Sequence, residues 1–291
     1  MRARTLFPAA IVITAALLAC KQGEKAQQES QPGANPLAAP ATPTSNDVTF
    51  QRLVPKSGAR ATVTRKTTSK FTFQGKTFRE TSTFEGKYTV KSSDEHRMTK
   101  ADVEVKDLHS TSQEGTAAEK KTVSPLSGST YTITRYDDGK LGATDTGGTK
   151  VPDATLKLIK DEFKSMFEKN NDGAFLPDRP VKLEEKFMPA NDAMLKLFGS
   201  KDDGKTTFDG AEFILKKSTG STASFDASVT MTQNLGNGMR LRVKFKGTMD
   251  FAPHGTWATA ADLKGPMAVL DGKGDEKGNG DLTFAFTQVF E

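Results

Sequence analysis

The chain has 291 residues, with 41 basic and 36 acidic side chains, one cysteine and one tryptophan. A surplus of five positive charges spread over that length leaves little electrostatic footprint for nucleic acid, and a single cysteine excludes an intramolecular disulfide. A hydrophobic fraction of 35%, with abundant Thr, Ser and Lys, suits a sheet that is wet on one face.

Arg2 and Arg4 give a positively charged start, and Leu6 to Leu18 is a mostly apolar run. A membrane-spanning helix needs about 20 apolar residues, so this shorter run predicts a secretory signal over residues 1–19. It ends in Leu17-Leu18-Ala19-Cys20. Those four residues resemble the lipobox of bacterial lipoproteins. The resemblance implies cleavage between Ala19 and Cys20, diacylglycerol on the Cys20 thiol and an acylated amine. Each buried methylene contributes about 0.8 kcal/mol, so two or three acyl chains would hold the protein at a bilayer. Lys21 stands where inner-membrane lipoproteins of the enteric type carry aspartate. The resemblance therefore implies the outer membrane, with the protein facing the periplasm or the cell surface.

From Cys20 to residue 46 the chain is rich in Gln, Ala and Pro, with Pro32, Pro36, Pro40 and Pro43 among small polar residues. Such a segment cannot bury enough apolar surface to offset its ordering entropy, so a disordered tether is expected.

Residues 47–291 change to a two-residue period. Val63, Phe71 and Phe73 share one parity, then Phe78, Phe84, Tyr88 and Val90 follow the turn at Gln74-Gly75. Arg65, Thr67 and Ser69 interrupt the stripe leading to Phe71. Val103 and Val105, then Tyr131 and Ile133, predict further strands. Pro152 precedes Leu156, Ile159, Phe163 and Phe167 at helical spacing, and a second short helix is expected from Asn191 to Phe198, stopped by Gly199. Beyond residue 200, Phe213 and Leu215, Phe225 to Met231, Met239 to Phe245, and Leu282 to Phe286 alternate between Gly-containing turns.

The predicted class is mainly β: a large curved antiparallel meander, open or half-barrel, of about ten or eleven strands with two helices inserted between the strand halves. One sheet, or two β halves at 47–150 and 200–291 joined by a helical segment, both fit the pattern. In element order it resembles periplasmic lipid carriers with a half-closed barrel and a helical lid. The segment from Phe175 to Phe187 resembles a stretch in uncharacterised β-rich bacterial lipoproteins, with Glu184 where glycine is usual; that family implies no activity. A transmembrane barrel is disfavoured by the broken stripe and the scarcity of Tyr and Trp.

No catalytic pattern stands out. His96, His109 and His254 lack the spacing of a zinc site, and neither a Gly-x-Ser-x-Gly elbow nor a supported Ser-x-x-Lys occurs. The stretch from Glu168 through Asn170 and Asp172 to Gly173 begins like a calcium loop but has Arg179 where the bidentate glutamate belongs. The Gly-rich loop from Asp271 to Asp281 reads as a solvated hairpin connection. The expectation is a non-catalytic lipoprotein without metal or cofactor, and without a nucleic-acid partner. Two roles compete. In one, Leu156, Ile159, Phe163 and Phe167 form a lid over a lipid or another hydrophobic molecule. In the other, a packed core leaves the faces and edges for an envelope protein partner.

Overall fold

The computed structural model describes residues 47–51, 53–168, 175–198, 205–255 and 257–291. The signal, the lipobox at Leu17 to Cys20, the tether, the calcium-like loop after Glu168 and the expected stop at Gly199 lie outside the described residues.

Among the described residues, twelve strands form one antiparallel sheet. The N-terminal half holds β1 (Arg60–Phe73), β2 (Lys76–Ser93), β3 (Met98–Glu114), β4 (Lys120–Val123), β5 (Ser129–Arg135) and β6 (Leu141–Asp145). Then come α1 (Asp153–Phe163) with a 3-10 turn over Lys164–Phe167, β7 (Lys186–Phe187) and α2 (Asn191–Leu197). The C-terminal half is the meander β8 (Thr206–Ser218), β9 (Ala223–Gly236), β10 (Met239–Phe251), β11 (Ala258–Leu270) and β12 (Glu276–Phe290). The spatial order runs β6-β5-β3-β2-β1-β12-β11-β10-β9-β8-β7, with β4 beside β3, and the sheet is not closed.

The two halves meet through their outermost strands in sequence. β1 pairs with β12 over thirteen positions, from Ala61 opposite Phe290 to Phe73 opposite Gly278. Both β halves therefore belong to one sheet, and the helical segment covers it rather than linking separate domains.

Turn chemistry sets the register. Gln74 and Gly75 both adopt positive φ, at 50° and 76°, the geometry of a two-residue turn whose twist matches the strands it joins. The strand count exceeds the sequence expectation because of β4, exposed throughout, and β7, which is two residues long. Neither has an apolar stripe to betray it; backbone pairing alone defines them.

α1 begins after Pro152, with Asp153 in its first turn, where fixed φ and a negative charge both favour a start. Its apolar face continues past Phe163 into the 3-10 turn, which carries Phe167. The expected single helix is thus an α-helix followed by a tighter turn, and the last member of the stripe sits on the turn.

Alternation sends one face of the sheet inward. Two clusters form there. One packs the C-terminal half against α2 and the segment from Phe175 to Val181. The other packs β1, β2, β3, β5 and β6 against α1 and the 3-10 turn. Val63 on β1 touches both.

Candidate functional site

The candidate site is the seam between the clusters, where the covered face of β1 and β12 meets the end of α1. A cavity of about 130 Å³ lies there. Its floor comes from the alternating inward positions: Phe84 and Tyr88 on β2, Val63 on β1, and Phe284, Phe286 and Phe290 on β12. Phe163 and Met166 approach from the helical side. Val103 on β3 and Met249 on β10 also line it. Five strand intervals separate those two strands, about 24 Å across a flat sheet. Only a curled sheet brings both to one cavity, so the curvature expected from the pattern is what makes the seam.

The lining is mainly apolar, but Arg65, Arg97, Glu162, Glu168 and Gln288 bring polar groups to it. Arg65 occupies an inward position of β1, opposite Phe84 on one side and Phe286 on the other. Its guanidinium donates to Glu162 Oε1 on α1 at 2.6 Å, with both side chains only 15% exposed. It also stands 5.6 Å from the centroid of the Phe84 ring, within cation–π range. Phe84 meets Phe163 edge-on at 5.9 Å. One ion pair and two rings therefore fasten the C-terminal end of α1 to the sheet beside the cavity.

At the other wall, the Trp257 ring lies 4.8 Å from that of Phe290. Its position depends on Gly255, where an added Cβ would fall 2.1 Å from the indole. Trp257 Nε1 is buried with no hydrogen-bond acceptor among the described residues. Gln288 on β12, 9% exposed, adds an amide to the lining.

Beyond Arg65 the covered face turns polar, with Thr67 and Ser69 on β1 beside Ser82 and Glu80 on β2. Burial pushes the Glu80 carboxyl above its ordinary range, since a half-desolvated carboxylate favours its neutral form.

Of the four residues proposed as a lid, Phe163 lines the cavity. Ile159 and Phe167 are fully buried in the N-terminal cluster, and Leu156 packs against its edge. The four share one interface, but only Phe163 faces the seam. Arg65, Glu162, Trp257 and Gln288 were missed as site residues. Arg65 had a visible signal, a charge at inward parity on an apolar stripe; its partner Glu162 had none, since α1 is charged over much of its length.

The histidines lie apart. His96 is in a turn around Asp94, His109 Nδ1 is 2.9 Å from Asp107, and His254 Nδ1 is 3.3 Å from Gln51 Oε1. Among the described residues no group of three or more His, Cys, Asp or Glu could hold a metal ion. The Asp271 carboxylate accepts from the backbone N–H groups of Lys273 and Asp275 and pairs with Lys277. The hydrogen bond from Lys277 holds its pKa low, and the loop closes on itself as a turn. No helix among the described residues is long and apolar enough to cross a membrane.

No protein-family model and no curated protein matches the sequence. Among solved structures, the chain is similar to lipovitellin, described for its lipid–protein interactions, with 9% identity and a TM-score of 0.37 over 83% of this chain and 26% of that one. It thus spans about a quarter of lipovitellin's length. It is also similar to DynF from the dynemicin pathway of Micromonospora chersina (10% identity, TM-score 0.21, 89% and 92% covered). A third similarity is to the translocator domain of the autotransporter NalP from Neisseria meningitidis (12%, 0.22, 80% and 88%). Likenesses this distant carry no functional reading.

Proposed function

We propose that the chain is a non-catalytic, lipid-anchored envelope protein that binds an apolar group in the seam between the sheet and the end of α1. The observation that carries this reading is the apolar cavity at the seam between the two clusters. Its 130 Å³ compares with an engineered apolar cavity of about 150 Å³ that stays dry and takes benzene. In the closed form the seam has room for a ring or a few methylenes. A drug-sized or lipid-sized ligand takes about 300–1,000 Å³, so its entry requires α1 to lift. That would open the Arg65–Glu162 pair and uncover Ile159 and Phe167. Trp257 Nε1 then supplies a donor for a carbonyl or ester oxygen at the mouth. The anchor rests on Leu17-Leu18-Ala19-Cys20, and with it the assignment to the outer membrane.

Native mass spectrometry tests this on residues 47–291, which contain every described element and both clusters. The fragment is released from a bacterial envelope without detergent. The expected result is an added mass that organic extraction removes and that a bulkier residue at the seam, Ala261→Phe, abolishes. A mass that stays bare after incubation with envelope lipids defeats the reading. The competing role, a scaffold contacting an envelope protein, is favoured by the full burial of Ile159 and Phe167 and would take its place.

A further inference from the structure

The outer face of the sheet carries a charge pattern that the seam does not use. On β10, Arg242, Lys244 and Lys246 alternate with the buried Leu241, Val243 and Phe245, so all three point away from the covered side. Lys264 on β11, Lys70 on β1 and Arg79 on β2 share that face. Among the described residues none of these six forms an ion pair, whereas many lysines elsewhere do. The register makes the pattern costly. Lys246 stands directly opposite Lys264, and Lys70 directly opposite Arg79. Like charges in directly opposed positions destabilise a sheet, and here two such pairs sit within a few strand intervals, each spanning about 5 Å. Asp281 stands directly opposite Lys70 on its other side, and Asp262 lies on the same face two residues from Lys264, so two carboxylates offset part of this charge. Small side chains, Ala268, Ala285 and Pro266, fill the spaces between. This patch therefore carries more cations than carboxylates without being apolar, which suits an anionic surface and not a hydrophobic one.

We infer that this face docks the domain onto anionic phospholipid headgroups. Phosphate groups neutralise the opposed cations and remove the repulsion that the fold carries without them, and a cation at such a surface contributes about 1 kcal/mol. The bilayer as occupant rests on the lipid-anchor reading of Cys20: a tether of residues 21–46, as expected from the sequence, has a coil span of about 30 Å, short enough to hold the face near the membrane. Docked in this way, the sheet turns its covered side and the seam away from the headgroups.

The test uses the unacylated chain of residues 21–291 and co-sedimentation with vesicles of phosphatidylglycerol and phosphatidylcholine in equal parts, against phosphatidylcholine alone. Binding is expected only to the anionic vesicles, and it is lost near 1 M salt, where the Debye length is about 3 Å. The variant K70Q/R79Q/K246Q/K264Q should bind about a thousand-fold more weakly while melting no lower than wild type, because the opposed charges are gone. A control with the same charge change away from that face, K56Q/K120Q/K157Q/K182Q, keeps its binding. Equal binding to neutral vesicles, no binding to anionic ones, or an equal loss in the control overturns the inference. None of these outcomes touches the anchor, which is read separately from the mass of the envelope-bound chain and its Cys20→Ser variant.

Discussion

The two halves of the sheet bury their inner faces by different means. In the C-terminal half the inward positions of β8, β9 and β10 are mainly apolar, and Phe213, Phe225, Leu241, Val243 and Phe251 have almost no exposure. Rings interlock across neighbouring strands, with Phe225 6.0 Å from Phe251 and 6.5 Å from Phe213. In the N-terminal half the same parity on β1 and β2 places Arg65, Thr67, Ser69, Glu80 and Ser82 among Val63, Phe84 and Tyr88. That half cannot close by apolar contact alone, so it recruits α1 and an ion pair. The cavity forms where the two kinds of packing meet, because a face held partly by a directed contact cannot interdigitate as tightly as one held by rings alone.

The contrast can be broken most severely in the apolar half. Phe225→Ala removes a fully buried ring and should cost about 3–5 kcal/mol, read as a shift in the denaturant midpoint, with no change in binding at the seam. In the other half, Glu162→Ala leaves Arg65 largely desolvated without its partner. A fully buried pair broken this way costs about 3–5 kcal/mol; with both groups 15% exposed, about 2 kcal/mol is expected. Hydrogen exchange in α1 should rise while β9 and β10 stay protected, and uniform loosening of the whole sheet would contradict the division.

The smallest effect belongs to Glu80. Its pKa is raised by burial, so the folded state holds its proton more tightly than the unfolded chain does. Stability on this account is greatest at low pH, where both states are neutral. It falls as pH rises from the ordinary carboxylate value through the raised one, and the penalty stays constant above that. Glu80→Gln should therefore raise stability at neutral pH by less than about 1 kcal/mol, discounted for partial exposure. The gain should vanish in acid, and a pH-independent difference would assign the effect to packing.

Much of this division could be read from the residues. The alternation from Phe213 to Phe245 and from Leu282 to Phe286 sets inward and outward faces without ambiguity, because a two-residue period has only two registers. The interruption at Arg65, Thr67 and Ser69 was visible too, and it marks the polar strip beside the seam. Glu184, in the Phe175 to Phe187 segment, has a φ of 61°, a conformation glycine adopts freely. The pairing of β1 with β12 was not legible, since strand neighbours distant in sequence leave no local signature. Glu162 was hidden because α1 is charged over much of its length, and Trp257 lies just before β11, outside the strand.

That central pairing also constrains how the chain can fold. Ala61 finds Phe290 across more than two hundred intervening residues, so the middle of the sheet is the last part that can be assembled as the polypeptide emerges. Closing so long a loop costs entropy that grows only with its logarithm, but non-local pairing of this kind slows folding. Until it happens, β1 and later β12 each present an open edge able to pair with another copy. Refolding should accordingly be slow and sensitive to protein concentration, with the C-terminal meander gaining its protection before β1 and β2 do.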